Sequence, residues 1–192
     1  LILSRTNDKL IKLKSILQEM AIYFEIKGRK SYKTRLYTAV KHYTRWTKGD
    51  KLSLSECKDL FEYLELDQEL KEERMYDLKE FNYSTEDQWY EVFKSDPEEC
   101  LYIREMLRNK EELSKPARVK LSTIHAAKGG EATNVLLILD NTKKIRDAVE
   151  RNQDKYDEEQ RVWYVGVTRT KQNLYIMTAK QEDKGYDIES LG

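Results

Sequence analysis

Ser122-Thr-Ile-His-Ala-Ala-Lys-Gly-Gly-Glu131 gathers, within ten positions, most of the side-chain types that hold a phosphorylated ligand. Thr123 and His125 close an apolar run, and a small glycine-rich turn follows. Gly129 and Gly130 permit a tight backbone whose amide groups can face an anion. Lys128 adds positive charge, and Glu131 offers a carboxylate to ribose hydroxyls. Taken alone, His125 also fits a hydrogen-bonded strand-end histidine. A second stretch, Asp157 to Ile176, opens with acidic residues and closes with Thr168-Arg169 just before an apolar run. The acids complement the positive end of a helix dipole. An arginine at the far end can reach the terminal phosphate of a nucleotide, a contact worth on the order of a thousandfold or more in phosphoryl transfer. A lone helical arginine is more often a surface charge, so context has to decide.

The elements that must position these residues are readable from periodicity. Leu1–Arg5 reads as a buried strand, with Asn7 or Asp8 as cap of a helix from Asp8 to Ala21, where Leu10, Leu13, Leu17 and Met20 recur at helical spacing. Ile22–Ile26 alternates like a strand and stops at Gly28. From Tyr32 to about Lys110 the period is helical throughout, with helices expected over Tyr32–Thr47, Ser55–Leu64, Leu66–Phe81, Thr85–Phe93 and Pro97–Asn109. Leu36, Val40, Tyr43 and Trp46 line one face of the first. Strands return at Val119–Ile124 and at Val135–Asp140, whose unbroken apolar character suits a buried parallel strand. Lys143–Lys155 reads as a charged helix or loop, Glu158–Lys171 as an amphipathic helix and Asn173–Thr178 as a last strand. The fold expected is α/β, an open parallel sheet interrupted by a helical insertion. Its carboxyl edge is the expected ligand crevice, glycine turn included.

Composition sets the outer bounds. The 192 residues carry 35 basic and 35 acidic side chains, for a net charge of zero. That balance hides a segregation: residues 1–51 hold about thirteen bases against about four acids, and residues 52–100 about sixteen acids against about five bases. The basic third suits a phosphate backbone and the acidic part does not; two solvated helical faces of opposite sign fit equally well. Cys57 and Cys100 have neither metal nor redox spacing and read as free thiols of a reducing compartment. No apolar run reaches bilayer-spanning length and no secretion signal is apparent, so a cytoplasmic or nucleoid setting without membrane contact is expected. An apolar run at Leu1 leads us to expect a segment of a longer protein.

Three ordered motifs resemble the UvrD/Rep-type superfamily 1 DNA helicases. That family has a segment close to T-x-H-x-x-K-G-x-E, matched by Thr123, His125, Lys128, Gly129 and Glu131. A later one is close to E-E-x-R-x-x-Y-V-x-x-T-R-A, matched by Glu158, Glu159, Arg161, Tyr164, Val165, Thr168 and Arg169. Arg5-Thr6-Asn7 looks like the R-T-N segment opening the family's second RecA-like domain. The resemblance implies a RecA-like motor domain over residues 1–30 and 111–192, with residues 31–110 as a short helical insertion. It implies ATP and Mg2+ as cofactors, with the magnesium ligands in a first motor domain of the same protein. Arg169 would be the finger on the γ-phosphate, with Glu131 and Gly129 also at the nucleotide. Thr123, His125, Lys128, Arg5 and Asn7 would contact single-stranded DNA or a single-strand/duplex junction. Arg161 would organise the interface with the first motor domain, and Tyr164 would pack.

The chain also departs from that pattern. Gly130 stands where the family usually has leucine, and Thr170 where it has alanine. Residues 143–155 lack its usual proline-containing turn, and the insertion, about eighty residues, is far shorter than the bacterial accessory subdomain. Nothing reads G-x-x-x-x-G-K-[ST], and no apolar strand ends in an Asp-Glu pair. The expectation is therefore a motor domain that does not hydrolyse ATP by itself. Two alternatives remain: a non-enzymatic nucleic-acid-binding module retaining the fold, or part of a helicase–nuclease.

Overall fold

The computed structural model describes residues 1–66, 70–81, 83, 86–127 and 129–178. In chain order it contains β1 (Ile2–Ser4), α1 (Asn7–Glu19), β2 (Phe24–Ile26) and β3 (Arg29–Lys30). There follow α2 (Thr34–Thr47), β4 (Leu52–Ser53), α3 (Leu54–Leu64), β5 (Met75–Tyr76), a 3-10 turn at Leu78–Phe81, α4 (Trp89–Val92) and α5 (Pro97–Arg108). Then come β6 (Val119–Thr123), β7 (Ala132–Leu139), α6 (Lys143–Arg151), α7 (Gln153–Val167) and β8 (Thr170–Thr178). Two compact units result: residues 1–29 with 114–192, and residues 30–113.

The first unit is α/β, as the strand and helix periods require. Its sheet runs β3-β2-β6-β1-β7-β8, and β1 lies parallel to both β6 and β7, β2 to β6, and β7 to β8. Ser4 sits opposite Thr123 and Ile138, so the carboxyl ends of β1, β6 and β7 share one edge. Leu3, Val135, Leu137 and Leu139 are fully or almost fully buried, which explains why these strands read as continuous apolar runs. On one face Trp163 of α7 packs with Leu3, Ile124, Val135 and Leu137; a separate cluster joins Leu10 and Leu17 of α1 to Phe24 and Leu121. Burying a side chain as large as Trp163 contributes on the order of 3 kcal/mol. At Gly166 α7 leaves little room against the sheet: a Cβ there would lie 3.1 Å from Leu137 Cδ1.

The second unit is built on α2 and α3. Leu36, Val40, Tyr43 and Trp46 are all buried, as the helical spacing demanded. Trp46 centres an aromatic cluster, with ring centroids 5.8 Å from Phe61, 5.6 Å from Phe81 and 6.2 Å from Tyr83. Helix α3 starts at a capping box, in which Glu56 Oε2 accepts from the Ser53 amide at 2.8 Å and Ser53 Oγ accepts from the Glu56 amide. Tyr32, Tyr43 and Trp46 are all buried in this unit.

Three expectations are corrected here. Of the helix expected over Leu66–Phe81, residues 67–69 lie outside the described residues. Residues 75–76 form instead a strand paired antiparallel with β4, followed by the 3-10 turn. Tyr76 and Leu78 point inward at strand spacing, while Arg74 bonds Glu80 at 2.7 Å and covers the Tyr76 ring at 4.1 Å, closing the turn. Helix α4 keeps only four of the residues expected over Thr85–Phe93, of which Thr85 lies outside the described set. Asn7 is the first residue of α1 and not its cap; Thr6 occupies the cap position without a side-chain bond to the helix. Residues 143–151 are helical, with Thr142 Oγ1 accepting from the Ile145 amide as cap.

Candidate functional site

Because β6 and β7 both run parallel to β1, the end of β6 and the start of β7 lie at opposite edges of the sheet. The glycine turn therefore crosses from one edge to the other, and the motif residues separate into two groups. This corrects the expectation of a single crevice at the carboxyl edge.

At the carboxyl edge, the Ile124 amide donates to Ser4 O at 3.0 Å, which brings Arg5 beside the turn after β6. Thr123 Oγ1 accepts from the Ala126 amide at 3.2 Å and its carbonyl from the Ala127 amide at 3.0 Å, so Thr123 builds the turn that presents His125 to solvent. Arg5 is held by Glu159 of α7: its Nε lies 2.9 and 3.0 Å from the two carboxylate oxygens, and its Nη1 is 3.5 Å from His125 Nδ1. The Glu159 side chain is 5% exposed and that of Arg5 21%. A buried carboxylate requires such a charged, hydrogen-bonded partner. Arg5, His125, Lys144, Lys155, Arg161 and Val162 are among the residues bounding a cavity of about 800 Å3 between α6, α7 and this edge. Lys155 bonds Glu158 at 2.7 Å and holds that carboxylate below its ordinary range. Arg161 is exposed on α7 and Asn7 in the first turn of α1. Lys128 lies outside the described residues.

At the amino edge, the Ala132 amide donates to Arg169 O at 2.9 Å, fixing the start of β7 beside the start of β8. Gly129 adopts φ +85°, a backbone region that only glycine enters without strain. The half-buried Arg169 is folded over the end of α7. Its Nε donates to Val165 O at 3.0 Å and its Nη2 to Thr168 Oγ1 at 3.1 Å, with Nη1 3.5 Å from Gly130 O. A guanidinium on the last carbonyls of a helix is favoured by the helix dipole. Glu131 is exposed and pairs with Lys171 at 3.4 Å. A carboxylate and a guanidinium thus flank the same turn, at the edge opposite His125.

Helix α7 joins the two groups. Glu159 and Trp163 are buried on its sheet side, four residues apart, and Gly166 follows at close contact with Leu137 and Ile124. From Glu159 to Arg169 is ten residues, about 15 Å at helical rise. Sequence reasoning quoted Glu159 within its motif but gave it no role; its helical spacing to Trp163 was the available signal. Tyr164, expected to pack, is 63% exposed, and Trp163 is the packing residue.

The family described as UvrD-like helicase C-terminal domain matches residues 2–181. The chain belongs to this family. Among curated relatives of this UvrD-like domain, ATP-dependent DNA helicase Rep of Buchnera aphidicola subsp. Schizaphis graminum is 33% identical over 76 residues, 38% of this chain and 12% of that protein. ATP-dependent DNA helicase PcrA of Bacillus subtilis is 31% identical over 108 residues, 53% of this chain and 14% of that protein. The matched stretches thus span about an eighth of each relative's length. Among the described residues of the UvrD-like domain, no cluster of three or more His, Cys, Asp or Glu side chains could hold a metal ion, and no helix is long and apolar enough to cross a membrane. Both cysteines are free and buried, and burial pushes the Cys57 thiol up to about 11.

Proposed function

We propose that this chain is the second motor domain of an ATP-dependent DNA helicase or translocase, acting with a first motor domain of the same protein. In this reading residues 1–30 and 111–192 form the motor fold and residues 31–110 its short helical insertion. The observation that carries it is the separation of the motif residues to two edges of one sheet, bridged by the rigidly seated α7. A motor needs such an arrangement, because nucleotide state has to be transmitted to a nucleic-acid grip.

At the amino edge, Arg169 is the finger for the nucleotide, with Glu131 on the sugar and Gly129 shaping the turn. Bound ATP with Mg2+ supplies the terminal phosphate whose charge an arginine can stabilise. Arg169 reaches it by leaving the Val165 carbonyl and the Thr168 hydroxyl that it now bonds, a small rearrangement for a half-buried side chain. The magnesium ligands and the phosphate loop belong to the first motor domain, so this domain alone hydrolyses no ATP. Arg161, exposed on α7, faces that partner domain. At the carboxyl edge, Thr123, His125, Lys128, Arg5 and Asn7 form the track for single-stranded DNA or a junction. Arg5, Lys144, Lys155 and Arg161 outnumber Glu158 and Glu159 around the α6–α7 cavity, and this positive excess favours a phosphate backbone there.

The test separates the two edges in the full-length protein. Single-strand affinity by fluorescence anisotropy should fall about tenfold in His125→Ala, the loss of one hydrogen bond to a charged phosphate. Arg169→Ala should keep that affinity and lose hydrolysis. Equal loss of DNA binding in both variants would contradict the division of labour, and binding without hydrolysis by the parent would favour a non-enzymatic module.

A further inference from the structure

The Arg5–Glu159 pair, whose acidic member has no task in the reading above, stands beside His125. It has a consequence for the imidazole. A guanidinium carries only N–H donors, so the approach of Arg5 Nη1 to His125 Nδ1 at 3.5 Å is attractive only when Nδ1 is an unprotonated acceptor. The ring proton then sits on Nε2. The guanidinium cannot turn away, because its Nε is pinned between the two oxygens of a carboxylate that is 5% exposed.

We propose that Glu159 and Arg5 are positioning residues for His125: Glu159 anchors the guanidinium, and the guanidinium sets the tautomer that presents Nε2–H to a phosphate oxygen of the single strand. The proposal rests on the single-strand role of His125 given above and deepens it, since Arg5 then acts through His125 and not as a separate phosphate contact. It also names the physical link between the two edges. Glu159 lies on α7, and the same helix packs its Trp163 in one cluster with Ile124, the residue before His125. A shift of α7 that accompanies movement of Arg169 therefore displaces the anchor of Arg5 and the neighbour of His125 together.

Two conservative variants of the full-length protein test this. Glu159→Gln keeps the shape and removes the anchoring charge; Arg5→Lys keeps the charge and removes the planar fork. Long-range 1H–15N correlation on histidine-labelled protein, with the signal assigned by its loss in His125→Asn, should show a single Nε2–H tautomer in the parent. Both variants should show a mixture, with single-strand affinity several-fold weaker, up to the tenfold of losing one charged hydrogen bond. Combined with His125→Ala, neither variant should weaken binding further. Three outcomes overturn the proposal: a tautomer unchanged in both variants, additive losses with His125→Ala, or tighter binding in Glu159→Gln. The last would mean that Glu159 restrains an Arg5 that itself grips phosphate. If the parent binds no single strand, the motor reading fails, while the tautomer in DNA-free protein still decides the positioning claim.

Discussion

Replacing Gly166 by alanine tests the seating of α7 on the sheet. The new methyl carbon would lie 3.1 Å from Leu137 Cδ1, 3.4 Å from Ile124 Cδ1 and 3.5 Å from Ile124 Cγ1. Carbon pairs prefer about 3.5–4.0 Å, so the nearest contact is too close by several tenths of an ångström. Leu137 is 0% exposed and Ile124 1%, leaving neither an open side to move into. Overpacking of this kind costs about 1–3 kcal/mol. Against it stands the helix propensity of alanine over glycine, about 1 kcal/mol. The net expectation is a loss of about 0–2 kcal/mol. Gly166→Val adds two further methyls at the same point and belongs at about 3 kcal/mol or beyond. Urea denaturation should show the midpoint falling in the order glycine, alanine, valine with an unchanged slope. An alanine variant more stable than the parent by about 1 kcal/mol would show that propensity alone operates, and that α7 is not held tightly enough to transmit movement.

Other outcomes follow from the second unit. Ser53→Ala removes one half of the capping box that starts α3 and should cost about 1 kcal/mol in chemical denaturation. His42 is buried, and burial pushes its imidazole below the ordinary 6.5, outweighing the attraction of Glu56 and Asp59. The unfolded chain thus takes up a proton near pH 6.5 that the folded unit resists, so stability falls as pH drops from 6.5 through the lower folded value. The bond from the Ser53 amide, helped by Arg45, holds the Glu56 carboxylate below 4.5; its contribution is present above pH 4.5 and lost as pH falls through the folded value. His42→Gln should flatten the stability profile just below pH 6.5 and leave the fall below 4.5 in place. A profile unchanged by that substitution would refute the assignment.

Much of the sheet was legible because β1 and the second half of β7, Val135 to Leu139, are short apolar runs and the first helix repeats leucine at helical spacing. The motifs were legible as strings, but their placement was not. The parallel sheet was expected, but a local pattern does not show that β6 and β7 both flank β1, and this pairing puts Glu131 and His125 at opposite edges. The pairing of Arg5 with Glu159 spans 154 positions and leaves no local mark beyond an acid on the buried stripe of a helix. The segment after α3 misled for a related reason. Its apolar residues satisfy helical spacing, yet alternation at Tyr76 and Leu78, with Arg74 closing on Glu80, favours a ribbon and a turn. Trp163 and Tyr164 show the remaining ambiguity, since neighbouring aromatics on an amphipathic helix cannot both face the sheet.

The most direct test of the account is ATP hydrolysis by the full-length protein with and without single-stranded DNA, measured beside its Arg169→Ala variant. The account predicts hydrolysis that DNA stimulates in the parent and a loss of roughly a thousandfold in the variant, with nucleotide still bound. An active parent whose variant retains nearly full hydrolysis would show that Arg169 only caps α7, and would contradict the assignment of the amino edge to the nucleotide.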